Sequence, residues 1–547
     1  MDFLSKNAVL RSVTDEYLSN LNSGMSPDEI EAGLLDEVYQ KFEEYNSTAD
    51  KGMKWKTPDS LTHTQIAAVI LKNEAVKMLN HTNQKSTKRK YMTLVAYNPD
   101  TGIYTEDEDY IREHIIRKYD YSATSQKMNE VLSILRSKAE IITKCSNPDL
   151  IPVNNGIFDY RTKELLDFSP EYVFTYKSPV NYNPASFNKT FIEEDGTEWD
   201  VESYICSLSD DPEVRQNLWE IPSAALRPYN RWDCAVWLIG DGCNGKSCYE
   251  ELIRNLVGRE NCASIPLAST GQDFLLEPLS RVPCIVTDEN DDEYIDNAAN
   301  LKSIITHNTL CINIKFQNPI QVTPYVFMIQ GMNSAPRSKA KETGFYRRQL
   351  FVPFDKCFLG RENKNIIDHL ADEDVLEYVL WKVLNSDFYS FTRSAIGESM
   401  KEDYKTYNDP IRQFYEEIIP LTVWDFLPDG FVYDLYKAWF AETNPSGRIV
   451  GKQNFIIDFK TLMNEVGGYE RYDKGHPINA SQTNCFEVPE FLIEKYDLHN
   501  WMNPGYDGPD RNKKYTPQIK STMCGFKKIK PAVSGNNTEE KGEIRYG

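Results

Sequence analysis

An α/β fold is predicted for the middle of this 547-residue chain, with helical and mixed segments on both sides of it. Two observations carry the prediction. From the glycine-rich turn near residue 240 to about residue 360, short apolar runs alternate with stretches of helical spacing, as in an α/β nucleotide-binding type of sheet covered by helices. The run from Ala235 to Ile239 also meets a glycine-rich turn that a helical pattern follows directly. A strand, a glycine turn and a helix in this order are typical of such a core.

The composition is that of an ordinary globular protein, with 40% hydrophobic and 26% charged residues. No apolar run is long enough to span a membrane, and the first residues lack the apolar centre of a signal peptide. Eleven cysteines form no C-x-x-C pair, and Cys243 and Cys248 lie in and beside the glycine-rich turn. We therefore expect reduced thiols, a cytoplasmic location and no membrane partner.

The net charge of −21 excludes a protein that coats nucleic acid with a uniformly basic surface. Three local stretches are nevertheless rich in Lys and Arg: residues 72–90, 337–348 and 511–530. Each is compatible with a solvated surface, and together they make local contact with nucleic acid a reasonable expectation.

The flanking segments differ in pattern from the middle of the chain. Asn98 to Gly102 forms a turn between two strand-like runs, and Asn155-Gly156 marks a hairpin. Apolar residues at helical spacing return after residue 400, as in IRQFYEEI and FVYDLYKAWFAE. The predicted organisation is a helical region at 1–90, an α+β domain at 91–205, the α/β core at 206–365, a helical connector at 366–400, a further α+β domain at 401–500 and a flexible basic tail at 501–547.

The turn from Gly240 to Ser247 matches the phosphate-binding pattern G-x-x-x-x-G-K-S. Gly242 and Gly245 are expected to take positive φ, which would turn backbone N–H groups towards phosphate oxygens. Lys246 would contact the β- and γ-phosphates, and Ser247 would bind Mg²⁺. The alternative is a glycine turn with a surface lysine. The predicted nucleotide contacts are Gly240, Asp241, Gly242, Cys243, Asn244, Gly245, Lys246, Ser247 and Cys248.

A nucleotide hydrolase also needs a carboxylate at the end of a neighbouring strand. The apolar run from Val282 to Val286 leads to Asp288 and Glu289. We expect Asp288 to bind Mg²⁺ and Glu289 to act as general base towards the attacking water. Since more acids follow at 291–293, a solvated acidic loop is the alternative.

Two further polar elements follow in chain order. Asn333 stands just beyond the strand-like run from Tyr325 to Gln330, where its amide could hold water against the γ-phosphate. Arg347 and Arg348 precede another apolar strand, and an arginine can stabilise the transition state of a neighbouring subunit's nucleotide. We favour Arg348 for this role. The alternatives are an ordinary turn residue and surface ion pairs.

The ordered segments GDGCNGKS, IVTDEN, FMIQGMNSAPR and GFYRRQLFVPF resemble the superfamily 3 helicases. The branch they resemble is the phage, plasmid and poxvirus primase-helicase group, in which an asparagine such as Asn244 precedes Gly-Lys-Ser. The segment LIPVNNGIFDYRTKELLDFSP resembles the domain that precedes the motor in that group. DPIRQFYEE and VYDLYKAWFAE look like the winged-helix-type domain that often follows the motor.

The resemblance implies an AAA+-like ATPase that forms a homo-hexameric ring, binds ATP with Mg²⁺ between subunits and threads single-stranded DNA through its pore from a forked duplex. It implies a protein of a phage or mobile element in a bacterial cytoplasm, with host or element replication proteins as further partners. A hairpin between the second and third motifs usually contacts the DNA. Here Lys315 is the favoured contact, and Lys302 and His307 are weaker candidates. The usual Gly-Asp pair before the hairpin is replaced by His307-Asn308.

Three functions compete at this stage. The first is a replicative DNA helicase, and the second is an ATP-dependent origin-binding initiator or loader without processive unwinding. The third is a P-loop kinase of a small molecule, which would need neither a ring nor a trans arginine. About 90 residues precede the pre-motor domain and show no paired catalytic aspartates, so we expect no primer synthesis.

Overall fold

The computed structural model divides the chain into two compact units, Met1–Lys401 and Glu402–Gly547. No helix among the described residues is long and apolar enough to cross a bilayer. The structure describes residues 5–21, 24–82, 88–290, 294–295, 297–314, 319–443, 449–485, 487–518 and 522–529.

The first unit begins with a helical layer over a four-stranded sheet. Its helices are Lys6–Ser19, Pro27–Thr48, His63–Asn73, Glu108–Tyr110, Ile111–Ile116, Arg117–Tyr119 and Ser125–Lys138. Its strands, in spatial order, are Ile103–Thr105, Thr93–Asn98, Val76–Asn80 and Ile141–Thr143. Leu34, Ile70 and Leu132 share one buried core. The predicted boundary at residue 90 therefore does not separate two domains, because the strand Val76–Asn80 already belongs to the sheet.

The helix Pro27–Thr48 shows how local sequence directs this layer. The Ser26 hydroxyl accepts from the Glu29 N–H while the Glu29 carboxylate accepts from the Ser26 N–H, which satisfies two free donors at the helix start. Ile30, Leu34 and Val38 recur every fourth residue and are buried. Burial of this stripe, rather than helix propensity alone, stabilises the helix.

The predicted turns between the first helices and the α/β core are confirmed. Thr93–Asn98 pairs antiparallel with Ile103–Thr105 through the turn at Gly102, which has φ +76°. The hairpin at Asn155-Gly156 joins two strands of a small sheet. This region contains the strands Leu150–Val153, Gly156–Asp159, Glu164–Leu166, Phe191–Ile192 and Glu198–Trp199 and the helices Val201–Leu208 and Pro212–Ala225.

The predicted α/β core is a five-stranded sheet in which every pair is parallel. In spatial order its strands are Cys262–Ala263, Cys284–Thr287 (the carboxylate strand), Phe327–Met332 (the amide strand), Ala235–Ile239 (the P-loop strand) and Gln349–Pro353 (the arginine strand). Val236, Ile329 and Val352 are fully buried in its core. The amide strand lies between the P-loop strand and the carboxylate strand. Because the three strands are parallel, their carboxyl ends lie side by side at one end of the sheet.

Helices and a hairpin complete the first unit. The hairpin strands Leu310–Ile312 and Ile320–Val322 pair antiparallel. The helices are Lys246–Val257, Ala299–Ile305, Thr343–Tyr346, Ile366–His369, Glu373–Asn385 and Ala395–Asn408, the last of which crosses into the second unit.

The second unit packs helices against a three-stranded antiparallel sheet. Its helices are Pro410–Ile418, Asp429–Thr443, Lys452–Val466, Leu492–Lys495 and Arg511–Lys514. The sheet order is Phe426–Pro428, Gly525–Lys528 and Tyr469–Tyr472, and Ile478–Asn479 pairs with Thr522–Met523. The prediction of a flexible tail from residue 501 is wrong, because Gly525–Lys528 is the central strand and Phe526 is buried. Residues 530–547 lie outside the described part.

A buried carboxylate in this unit predicts a pH-dependent stability. Glu490 is 1% exposed, and it accepts backbone hydrogen bonds from Val423 (2.7 Å) and Trp424 (3.2 Å). Burial raises the pKa of Glu490 above its usual value of 4.5. The folded state therefore binds the Glu490 proton more tightly than the unfolded state, and stability falls as pH rises above about 4.5.

Glu490→Gln removes this titration while keeping one acceptor oxygen. We expect the unfolding midpoint of the wild type to fall further than that of the variant between pH 5 and pH 8. Tryptophan fluorescence can follow the transition through buried Trp424. Equal slopes for both proteins would contradict the prediction, and exposed Glu402→Gln is the matched control.

Candidate active site

The P-loop, residues 240–247, follows the P-loop strand and ends where the helix Lys246–Val257 begins. Gly245 has φ +88°, as predicted. The same prediction for Gly242 is wrong, because Cys243 takes the left-handed conformation at φ +60°. Gly240 is needed for a different reason: a Cβ there would overlap the carbonyl oxygen of Phe354 and the amide of Asn244.

Two glycine variants test this assignment of roles. Gly240→Ala is expected to weaken binding of a fluorescent ATP analogue at least about tenfold, a loss of about 1.4 kcal/mol, because the added Cβ must displace Asn244. Gly242→Ala is the matched control, since a Cβ there meets nothing within 4 Å. Titration of both variants measures the difference, and equal affinities would contradict the prediction.

Asn244 and Lys246 form the inside of the loop. The Asn244 amide donates to the Phe354 carbonyl oxygen (3.1 Å), which ties the loop to the end of the arginine strand. The Lys246 ammonium donates to Asn244 Oδ1 (3.2 Å) and to the Gly240 carbonyl oxygen. Burial lowers the pKa of Lys246, partly offset by nearby carboxylates that include Glu250. The loop therefore encloses one cation among backbone groups, which is an arrangement suited to phosphate.

A hydrogen bond joins the P-loop to the carboxylate strand. The Ser247 hydroxyl donates to Asp288 Oδ1 at 2.9 Å, although 41 residues separate the two. Asp288 is half-buried directly after Thr287, and Glu289 beside it is exposed. Adjacent hydroxyl and carboxylate oxygens are the donor types that Mg²⁺ prefers. The structure thus brings together Lys246, Ser247 and Asp288 of the predicted set.

Glu250 is a site residue that sequence reasoning missed. Its side chain is fully buried, and Arg254 donates to its Oε2 at 3.3 Å. Burial first, and then the charge of Asp288, raises the pKa of Glu250 to about 8. A Cβ on Gly331 would overlap Glu250 Oε1, so the carboxyl sits tightly behind Asp288. In the sequence, Glu250 is indistinguishable from an exposed helical glutamate.

Asn290 and Gln330 are two further residues that were missed. The Asn290 amide donates to Gln330 Oε1 (3.0 Å) and to the Gly331 carbonyl oxygen (3.0 Å). Asn290 Oδ1 accepts from the Leu267 N–H at 2.8 Å. These bonds hold the turn that carries Asp288 and Glu289 against the amide strand. The available signal was Asn290 directly after two carboxylates.

Asn333 is exposed just beyond the carboxyl end of the amide strand. It follows Met332, whose carbonyl oxygen accepts from the Gly240 N–H at 3.2 Å. The residue therefore stands beside the first residue of the P-loop. Its predicted role towards water remains a prediction.

Arg347 and Arg348 lie at the amino-terminal end of their strand, whereas their own P-loop lies at the carboxyl end of the neighbouring strand. Gln349 pairs with Ala235 and Pro353 with Ile239 in parallel register, so the arginines precede a strand whose far end meets the P-loop. Five residues of strand span about 16 Å. Arg347 is exposed, and Arg348 is half-buried with its guanidinium donating to the Gly344 carbonyl oxygen.

The three predicted DNA contacts are not equally supported. Lys315 lies outside the described residues. Lys302 forms an ion pair with Glu342 at 3.2 Å. His307 is half-buried, hydrogen-bonds the Pro324 carbonyl oxygen (2.8 Å) and stacks on Tyr325, and burial lowers its pKa. His307 thus packs at the base of the hairpin as a neutral ring, which does not suit a phosphate contact.

A cavity of about 450 Å³ opens beside the P-loop. The loop contributes Cys243 and Gly245 to its wall, and Cys248 follows from the helix. Its lining also includes aromatic and apolar side chains: Trp199, Tyr204, Phe358 and Ile366. Its size is that of a small-molecule site.

Comparisons with known proteins identify three segments of the chain. Residues 39–202 match the family described as D5 N terminal like, and residues 406–497 match the family described as Poxvirus D5 protein-like. Residues 238–348 match a family of unknown function. This segment contains the P-loop, the carboxylate strand and the amide strand. No curated protein matches the sequence significantly.

Solved structures give more distant likenesses. The A form apo structure of the NrS-1 C terminal region is 11% identical over 85% of this chain and 99% of that chain, with a TM-score of 0.43. The apo structure of NrS-1 residues 305–718 is 12% identical over 75% of this chain and 96% of that chain, with a TM-score of 0.40. Two segments, one on either side of the P-loop region, are thus similar to D5-type families.

Proposed function

We propose that this chain is an ATP-dependent DNA helicase of the superfamily 3 type that works as a homo-hexameric ring in replication. The observation that carries the proposal is the hydrogen bond between Ser247 and Asp288, with Lys246 inside the P-loop beside them. A nucleotide hydrolase needs a phosphate-binding loop, a hydroxyl and a carboxylate at the carboxyl ends of neighbouring parallel strands.

The chemistry follows from these residues. Lys246 balances the negative charge of the β- and γ-phosphates, and the helix Lys246–Val257 adds its positive end. Ser247 and Asp288 would hold Mg²⁺, which when bound neutralises phosphate charge and orients the γ-phosphate. Glu289 removes the proton of the attacking water, and Asn333 orients that water. Asn290 keeps the turn with Asp288 and Glu289 in place.

The cavity beside the P-loop is assigned to the base and ribose of the nucleotide. It adjoins Gly245 and Cys248, so a nucleotide with its phosphates on the loop would extend into it. Tyr204 and Phe358 supply aromatic walls for a purine ring.

The position of the arginines supports an assembly of several copies. Since Arg347 and Arg348 lie about 16 Å from their own P-loop along the strand, they are placed to act on a neighbour's nucleotide, as in a ring. Such an arginine stabilises charge in the transition state. The second unit begins with a helix, a strand, two helices and a strand, and its last strand, Gly525–Lys528, pairs with both earlier strands, which supports its assignment as a winged-helix-like domain.

Strand displacement on a forked duplex, measured together with ATP hydrolysis, tests the function. Helicase activity requires both ATP-dependent unwinding and faster hydrolysis with DNA. Hydrolysis without unwinding would favour the initiator or loader. A monomer with DNA-independent turnover would favour the kinase.

A further inference from the structure

The Glu193 carboxylate accepts three side-chain hydrogen bonds close to the cavity beside the P-loop (the nucleotide cavity). Its Oε1 accepts from Asn363 Nδ2 at 2.6 Å and from His369 Nε2 at 2.8 Å. Its Oε2 accepts from Asn365 Nδ2 at 2.9 Å. All three donors come from residues 363–369 (the donor segment), which lie 170 to 176 residues later in the chain. One carboxylate therefore fixes this segment at three points.

The donor segment forms part of the wall of the nucleotide cavity. Asn363 and Ile366 line the cavity. The helix in this segment, Ile366–His369, has four residues. A helix of this length is not stable by itself, because it forms too few backbone hydrogen bonds to offset the cost of nucleation. The position of this wall therefore depends on contacts with other parts of the chain.

The other part of the wall comes from a hairpin at residues 191–199 (the cavity hairpin), whose turn contains Glu193. Phe191 pairs with Trp199 across the two antiparallel strands. Trp199 lines the nucleotide cavity and is 8% exposed. The His369 ring stacks on the Phe191 ring, with centroids 4.0 Å apart. The cavity hairpin and the donor segment are thus joined by one ring stack and by the hydrogen bonds to Glu193.

Glu193 is an ionised acceptor that is largely enclosed. Its side chain is 14% exposed, and that of His369 is 12% exposed. The hydrogen bonds from Asn365, His369 and Asn363 lower the pKa of Glu193 below its usual value, so the group is a carboxylate at neutral pH. Without this carboxylate, three donors would lose their acceptor, and leaving enclosed donors unpaired is unfavourable.

We propose that Glu193 is a positioning residue of the nucleotide site, which holds the donor segment against the cavity hairpin and so sets the part of the affinity that comes from base and ribose. The inference rests on the proposed function, which places base and ribose in this cavity. It adds to the site a residue that precedes the P-loop by more than 40 positions. Since the P-loop holds the phosphates, the two parts of the nucleotide can be tested separately.

The test measures two ligands on the full-length chain by calorimetry with Mg²⁺ present. One is a non-hydrolysable ATP analogue, and the other is inorganic tripolyphosphate, which has neither base nor ribose. The wild type should bind the analogue more tightly. Glu193→Ala should weaken binding of the analogue at least about tenfold and leave tripolyphosphate binding unchanged. Glu193→Gln keeps one acceptor oxygen and should recover most of the loss.

Asn365 offers a second variant, because it is exposed and is not among the residues that line the cavity. Asn365→Ala should weaken binding of the analogue about threefold, the effect of one lost hydrogen bond. Combined with Glu193→Ala, it should cause no further loss, because both changes remove the same contact. The matched control is Glu194→Ala, the exposed neighbour, which should bind both ligands like the wild type.

Equal losses of analogue and tripolyphosphate binding in Glu193→Ala would overturn the proposal, because they would indicate a general disturbance of the fold. Unchanged binding of the analogue by Glu193→Ala, or additive losses in the double variant, would also overturn it. A wild type that binds both ligands equally would overturn this inference alone. A wild type that binds neither would contradict the proposed function itself.

Discussion

Lys246→Ala is expected to lower the rate of ATP hydrolysis by about 10²–10³-fold and to abolish strand displacement. The size is that of removing one preorganised group that stabilises developing charge. The ammonium lies inside the loop, donating to Asn244 Oδ1 and to the Gly240 carbonyl oxygen, and no other Lys or Arg lies in the P-loop. Phosphate release from saturating ATP, with and without single-stranded DNA, is the measurement.

The control is Lys41→Ala, an exposed lysine of the first helical layer, which should hydrolyse ATP like the wild type. Assembly should survive in Lys246→Ala, because the residue packs within its own loop, and sedimentation can verify this. Full unwinding by the variant would refute the assigned mechanism.

Mixing two inactive variants is expected to restore hydrolysis if an arginine acts between subunits. Arg348→Ala alone should lower the rate of ATP hydrolysis about 10³-fold or more, which is the effect of removing an arginine that completes a neighbour's site. In rings mixed equally with Lys246→Ala, about a quarter of the interfaces combine an intact P-loop with an intact arginine. The mixture should therefore hydrolyse ATP far faster than either variant alone.

Arg347→Ala in the same mixture decides which arginine acts. We expect the mixture with Arg348→Ala to regain ATP hydrolysis. Arg347→Ala alone should lower the rate of hydrolysis less than Arg348→Ala does. The arginines and the P-loop of one chain lie at opposite ends of two neighbouring strands. For Arg347 or Arg348 to act on the nucleotide of its own chain, a large rearrangement would therefore be required. A mixture as inactive as its components would contradict action between subunits, and normal activity of both arginine variants would remove them from the site.

Much of the α/β core was predictable because its motifs are local in sequence. The P-loop is one continuous turn, so Gly245, Lys246 and Ser247 could be identified from their spacing. The apolar run before Asp288 predicted a buried strand ending in a carboxylate, and the structure has that strand at Cys284–Thr287. The helices of the second unit were also visible, since their apolar residues recur at helical spacing.

The predictions that were wrong concern residues whose state depends on distant parts of the chain. Gly525–Lys528 looks polar and loose in sequence, yet it pairs with strands almost 100 and almost 60 residues earlier. His307 was a weaker candidate for DNA contact, and in the structure its ring hydrogen-bonds the Pro324 carbonyl oxygen and stacks on Tyr325.

By itself, the sequence determined the order of the elements of the α/β core, the position of the P-loop with Lys246 and the apolar faces of the helices, because each rests on spacing within one segment. Only the tertiary structure decided that Ser247 meets Asp288, that a buried Glu250 backs the same carboxylate, and that the arginines lie far from their own P-loop. The reason is physical. The order in which parallel strands lie side by side sets these distances, and it arises from packing between segments that are far apart in the chain.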